Sequence, residues 1–247
     1  MGKLKILMLH PYQSNAAEFK AEAQPIVDAC EDVASFAFLE GPHMVDGEEG
    51  KKHWGLWGPS VQKDSGFDPT DILATASTIS EAWADHGPFD GIWGCSQGAC
   101  LTSILVSLLL RPDLKERLLP TLLLQPDPFA TFRFAIINTG PSPKMLSYFK
   151  EVVEKDGEQG GFDVENVEGG GEKRTKTLFV FAKNDEELPV AMAEKFIALA
   201  SEEAEVKWSE EGHKIPVQGE WPAFFREWIS QFIEEEPAKG DDADWGC

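Results

Sequence analysis

The chain has 247 residues, 42% of them hydrophobic and 26% charged, enough for one sizeable core and too apolar for a disordered polymer. A formal net charge of −21 repels phosphate backbones and anionic lipid, which excludes nucleic acid or a membrane surface as a partner held by charge. No apolar run approaches the length of a membrane span, and the start "MGKLKILMLHPYQ" turns polar after a few residues, so a cytoplasmic protein is expected.

Runs of strand length lie at residues 3–10 ("KLKILMLH"), 35–40 ("SFAFLE"), 89–95, 132–139 ("FRFAIINT"), 177–183 ("TLFVFAK") and 205–209 ("EVKWS"), most of them apolar, as expected of strands buried on both faces. Helical candidates alternate with them. The first is 16–30, interrupted by Pro25, and the second is 70–85, with Asp68 or Thr70 as a cap. Residues 97–110 are apolar nearly all round, which predicts a buried helix. In 220–235, Trp221, Phe224, Phe225, Trp228, Ile229, Phe232 and Ile233 recur at three-four spacing and mark a core-facing stripe. This alternation predicts a mostly parallel sheet with helices on both faces and a ligand site at the carboxyl ends of the strands. Residues 1–236 are expected to form one domain, with a flexible acidic, glycine-rich insertion at 150–176 and a disordered acidic tail at 237–247. The four cysteines, Cys30, Cys95, Cys100 and Cys247, lack C-x-x-C spacing, so neither a disulfide framework nor a metal site is indicated.

The stretch "FDGIWGCSQGAC" passes from strand to helix through Gly94-Cys95-Ser96-Gln97-Gly98, a G-x-S-x-G turn that lifts one side chain clear of the backbone. Cys95 is also a nucleophile by chemistry, but the two glycines flank Ser96 symmetrically and assign it the elbow position. A serine hydroxyl needs a base, and the base needs a third group to orient it. Elbow sites run in the chain order Ser, acid, His; four histidines (His10, His43, His53, His86) precede Ser96, leaving His213, which follows the strand candidate at 205–209. Asp185 directly follows another strand candidate in "NDEELP", where a strand end holds it rigidly. Glu186 and Glu187 are alternatives, and Asp185 could instead only cap the helix expected from Pro189. An oxyanion hole needs two backbone N–H groups. Gln97, after the nucleophile, offers one; in the loop after the first strand Pro11 has none, which makes Tyr12 the first donor and Gln13 the second choice.

Nearly the whole chain resembles the family of small serine hydrolases that includes the fungal FSH-type hydrolases, the ovarian tumour-suppressor-candidate esterase and thioesterases that release fungal polyketides. The resemblance is carried by "ILMLHPY" at 6–12, "FLEGPH" at 38–43, "GPFDGIWGCSQGA" at 87–99, "FAIINTG" at 134–140, "NDEELP" at 184–189 and "GHKIP" at 212–216. It implies an α/β-hydrolase fold without a large cap and a triad of Ser96, Asp185 and His213. It also implies hydrolysis of small-molecule carboxylic esters or thioesters with no cofactor. Where the family usually has His-Gly this chain has His10-Pro11, and where it usually has an aromatic residue this chain has Cys95. The segment 53–67 ("HWGLWGPSVQKDSGF") is too irregular for regular structure; Trp54 and Trp57 either line an apolar acyl pocket or pin the loop. The alternative activity is release of acyl chains from a carrier or coenzyme A. An alternative of another class is a catalytically silent fold that holds an apolar ligand.

Overall fold

The computed structural model describes residues 2–56, 69–110, 132–140, 175–197 and 204–233. Six strands form one sheet: β1 (Leu4–Leu9), β2 (Ala34–Leu39), β5 (Gly91–Cys95), β6 (Phe134–Asn138), β7 (Lys176–Ala182) and β8 (Glu205–Ser209). Their spatial order is β2-β1-β5-β6-β7-β8, and every neighbouring pair is parallel. Parallel strands require crossovers, which helices supply on both faces. The fold is of the α/β-hydrolase type, and no large cap is evident among the described residues.

The alternation of side chains along each strand divides the core in two. Leu7, Leu9, Ile92 and Ala135 pack with Ile79 of α3 (Pro69–His86) and with Leu101 and Leu105 of α4 (Gln97–Leu110). On the other face Ile6, Met8, Trp93, Phe134, Ile136 and Leu178 meet Phe19 of α1 (Ala16–Glu22), Ile26 of α2 (Gln24–Ala29), and Phe225, Trp228 and Ile229 of the last helix, α6 (Trp221–Ser230). Ile137, Phe179 and Phe181 form a third cluster with Leu188 and with Ala193 of α5 (Val190–Ile197).

Several boundaries differ from the sequence expectation for local reasons. Pro25 opens a second helix, because a residue without an N–H fits the first turn of a helix. Asn15 caps α1 by accepting the Glu18 N–H at 2.8 Å. Thr70 lies inside α3 and does not cap it, while Asp68 falls outside the described residues. Helix α6 stops at Ser230, short of the expected Glu235: tighter bonds from Phe232 N to Ile229 O and from Ile233 N to Ser230 O turn the chain, yet both side chains still reach the core. A two-stranded antiparallel ribbon, β3 (His43–Met44) with β4 (Lys52–His53), was not expected; it is too short to leave a periodic signal. Of the expected insertion, Lys176 already belongs to β7 and Thr175 precedes it, while 150–174, like the 237–247 tail, lies outside the described residues.

Candidate active site

Strand β5 ends at Cys95 and α4 begins at Gln97, so Ser96 alone makes the turn, with φ of +52°. A non-glycine residue in the left-handed region is strained, and the surroundings must hold it there. Here two close backbone approaches do so. A Cβ on Gly94 would stand 2.1 Å from Gly98 O, and one on Gly98 would stand 2.1 Å from Leu9 O, so both flanking positions must be glycine. The Ser96 N–H donates to Asn138 O at 2.9 Å, which ties the elbow to the end of β6.

Ser96 Oγ lies 2.8 Å from His213 Nε2, and His213 Nδ1 lies 2.8 Å from Asp185 Oδ2. The carboxylate can only accept, so Nδ1 carries the ring proton and Nε2 is left to accept from the serine hydroxyl. Asp185 is buried at the end of β7, and its other oxygen, Oδ1, accepts the N–H groups of Glu187 and Leu188 at 2.9 and 2.8 Å. Its two oxygens thus divide the two roles open to it, one stabilising the turn before α5 and the other orienting the imidazole. Burial pushes the Asp185 pKa up, but the hydrogen bonds from His213 and from the two backbone amides outweigh it, and the carboxyl titrates below its ordinary range. Glu186 is exposed; Glu187, also exposed, brings Oε2 to 3.7 Å from His213 Nε2, the side of the ring that faces Ser96.

The His213 loop is clamped by residues that spacing did not single out. Asn184 accepts the Gly212 N–H through Oδ1 at 2.9 Å and donates Nδ2–H to Glu210 O at 2.8 Å, lashing the loop to the one that carries Asp185. The Glu211 carboxylate accepts the N–H groups of Val217 and Gln218 on the far side of the loop. A polar Asn next to the candidate acid was the signal for the first clamp.

Cys95 is buried, and burial raises its thiol to a pKa of about 12, against a hydrogen bond with the Thr139 hydroxyl that favours the thiolate. A nucleophile must be a thiolate and must be reachable, and Cys95 is neither at neutral pH.

Gln97 opens α4 with its side chain fully buried, where Oε1 accepts the Trp54 N–H at 2.7 Å. Tyr12 is half-buried in the loop after β1, its ring 5.8 Å from that of His53, and Gln13 beside it adopts φ of +57°. That loop is braced from behind. His10 Nδ1–H donates to Pro11 O at 2.7 Å, His10 Nε2 accepts the Gly41 N–H at 3.0 Å, and His10 O accepts from Trp54 Nε1 at 2.8 Å. Trp54 has no exposed surface, and its backbone O accepts the Thr75 hydroxyl. Of the two roles open to it, it therefore fills that of a pin, because a pocket wall must present surface to a ligand. Trp57 lies outside the described residues.

Among the described residues no group of three or more His, Cys, Asp or Glu side chains converges as metal ligands, and no helix is long and apolar enough to cross a membrane. The chain is 24% identical over 256 residues to the esterase CG5412 of Drosophila melanogaster, a match spanning 95% of this chain and 77% of that protein. It is 23% identical to the esterase OVCA2 of Danio rerio over 93% of this chain and 97% of that one. A segment covering 43% of the chain is 35% identical to 36% of the esterase alnB of Emericella nidulans. The carboxylesterase of Mesorhizobium loti superposes with a TM-score of 0.56 at 18% identity, over 93% of this chain and 90% of that one, which is a likeness of fold. The model of the family described as serine hydrolase (FSH1) matches residues 1–224, and the chain belongs to that family of serine hydrolases.

Proposed function

We propose that the protein hydrolyses carboxylic esters of apolar acyl groups, with Ser96 as nucleophile, His213 as general base and then acid, and Asp185 as the group that orients the imidazole. The observation that carries this is the continuous chain of two 2.8 Å hydrogen bonds from a serine at φ +52° through one imidazole to a buried carboxylate. As Ser96 Oγ bonds to the carbonyl carbon, its proton passes to His213 Nε2, and Asp185 offsets the imidazolium charge. The carbonyl oxygen becomes an oxyanion. Gln97 N–H and Tyr12 N–H are its donors in this scheme, each worth roughly 3 kcal/mol in the transition state. The bond to the leaving alcohol then breaks, and the alkoxide takes the proton from Nε2. Water repeats the sequence in reverse and frees the acid and Ser96. Every atom transferred comes from substrate, side chain or water.

Thioesters of the same acyl groups, free or held on a carrier protein, would follow the same steps with a thiol as leaving group. The three relatives named above are esterases, which favours the oxygen ester as the first substrate to test. The test is a fluorophosphonate probe. Stoichiometric labelling is expected, located on Ser96 by peptide mass and lost in Ser96→Ala and His213→Gln. A folded wild-type protein that ignores the probe would refute the enzyme and point to a module that holds an apolar ligand.

A further inference from the structure

Asn138 closes β6, between the strand that ends in the elbow and the strand that ends at the acid; its register partners are Cys95 on one side and Val180 on the other. It is fully buried. Its main-chain oxygen accepts the Ser96 N–H at 2.9 Å, and its side-chain Nδ2 donates to Lys214 O at 3.0 Å, the carbonyl of the residue after His213. The side-chain orientation is set by that contact, since an oxygen turned toward the Lys214 carbonyl would face another acceptor. The cost shows at the other end of the amide: among the described residues Asn138 Oδ1 has no hydrogen-bond partner. A buried acceptor without a partner is retained where the group serves something other than stability.

Resting on the serine-hydrolase reading of the site, we infer that Asn138 is a positioning residue, a strut one side chain long that sets the reach between Ser96 and His213. Those two residues are 117 positions apart in the chain, and Asn138 joins the backbone of one to the loop of the other. Asn184 and Glu211 fix the shape of the His213 loop, but neither joins it to the elbow strand. The bond to Lys214 O ties the loop to Asn138, whose main-chain oxygen holds the elbow at the Ser96 N–H. Without it the loop can drift outward by a fraction of an ångström, enough to stretch the 2.8 Å contact between Nε2 and the serine hydroxyl.

Asn138→Leu keeps the branched arrangement of four side-chain heavy atoms, in a larger volume, and removes both the donor and the orphan acceptor. Its melting temperature is expected to fall modestly, because Lys214 O loses its donor and the methyls are larger than the amide, while kcat per folded molecule on a neutral p-nitrophenyl ester falls about ten- to a hundredfold with KM little changed, as for a small misplacement of reacting groups. A variant that melts lower but keeps wild-type kcat per folded molecule would overturn the inference and leave Asn138 a packing residue. Asn138→Asp gives a second, independent reading. In this buried place the carboxyl stays protonated up to raised pH and can donate its O–H to Lys214 O. Its kcat/KM should therefore hold while that carboxyl is protonated and fall on an alkaline limb absent from wild type; a profile parallel to wild type overturns the inference. The proton on His213 Nδ1, followed by NMR and assigned by its loss in His213→Gln, needs no turnover. The resonance should shift and broaden in Asn138→Leu, and an unchanged resonance overturns the inference even if the esterase reading itself fails. A wild type inactive on esters with a shifted resonance in the variant would sink only the esterase reading.

Discussion

Asp185→Asn separates the two tasks of one side chain. The amide keeps an oxygen where Oδ1 is, so the N–H groups of Glu187 and Leu188 at 2.9 and 2.8 Å retain their acceptor and the turn before α5 survives. At the Oδ2 position it presents an NH2 group, which can only donate. His213 Nδ1 must then accept, the ring proton moves to Nε2, and the serine proton has nowhere to go. A loss of order 10⁴ in kcat is expected, about 5.4 kcal/mol of transition-state stabilisation. The melting temperature should change little. Asp185→Ala, by contrast, also leaves two amide donors without their acceptor, a loss of about 1 kcal/mol for each bond, and should melt lower as well as turn over more slowly. The assay is hydrolysis of p-nitrophenyl butyrate with thermal unfolding on the same preparations. A fall in kcat of less than about tenfold for Asp185→Asn would refute the assignment of the acid, and Glu186→Gln would be measured next.

Ser96→Ala should lose esterase activity while Cys95→Ala keeps it at a stability cost of about 1 kcal/mol, a cost typical of single substitutions; the reverse pattern of activity would make Cys95 the nucleophile despite its burial. His10 is held neutral: burial lowers its pKa, against the Pro11 carbonyl and the charges of Glu40 and Glu18, which raise it, while Lys52 lowers it further. The unfolded chain therefore takes up this proton first, near pH 6.5, so the contribution of His10 to stability is full above that pH and is lost as pH falls toward the lower folded value. Urea unfolding at pH 7.5 and 5.5 should show wild type losing more stability than His10→Gln, and equal losses would refute the sign. The exposed carboxylate of Glu187 beside His213 and the net charge of −21 both oppose a substrate carrying several phosphates. Neutral esters should thus have higher kcat/KM than the matching acyl-coenzyme A; added salt should narrow the gap, and Glu187→Gln should narrow it by less than about fivefold. A preference for acyl-coenzyme A at low salt that weakens as salt rises would overturn this.

What could be read from the sequence alone was what neighbouring residues decide among themselves. The run "TLFVFAK" is a strand because both its faces are buried, and the edge strand "EVKWS", mostly half-buried, has the bounds read for it. The elbow could likewise be read from five residues, two glycines flanking a serine, although the backbone that requires Gly98, at Leu9 O, lies on another strand. Chain order and strand ends singled out Ser96, Asp185 and His213, and folding brings them within hydrogen-bonding distance. Other features depend on residues far apart and had no signature along the chain. The order β2-β1-β5-β6-β7-β8 is one. The withdrawal of Cys95 from solvent, one position from the serine, is another, because only packing against the opposite face of the sheet hides it. Trp54 looked the same whether it faced a ligand or the core until His10, Gln97 and Thr75 closed around it. Asn138 ends an apolar strand, and what its amide does depends on a carbonyl 76 residues further along, which tertiary structure alone brings within 3.0 Å.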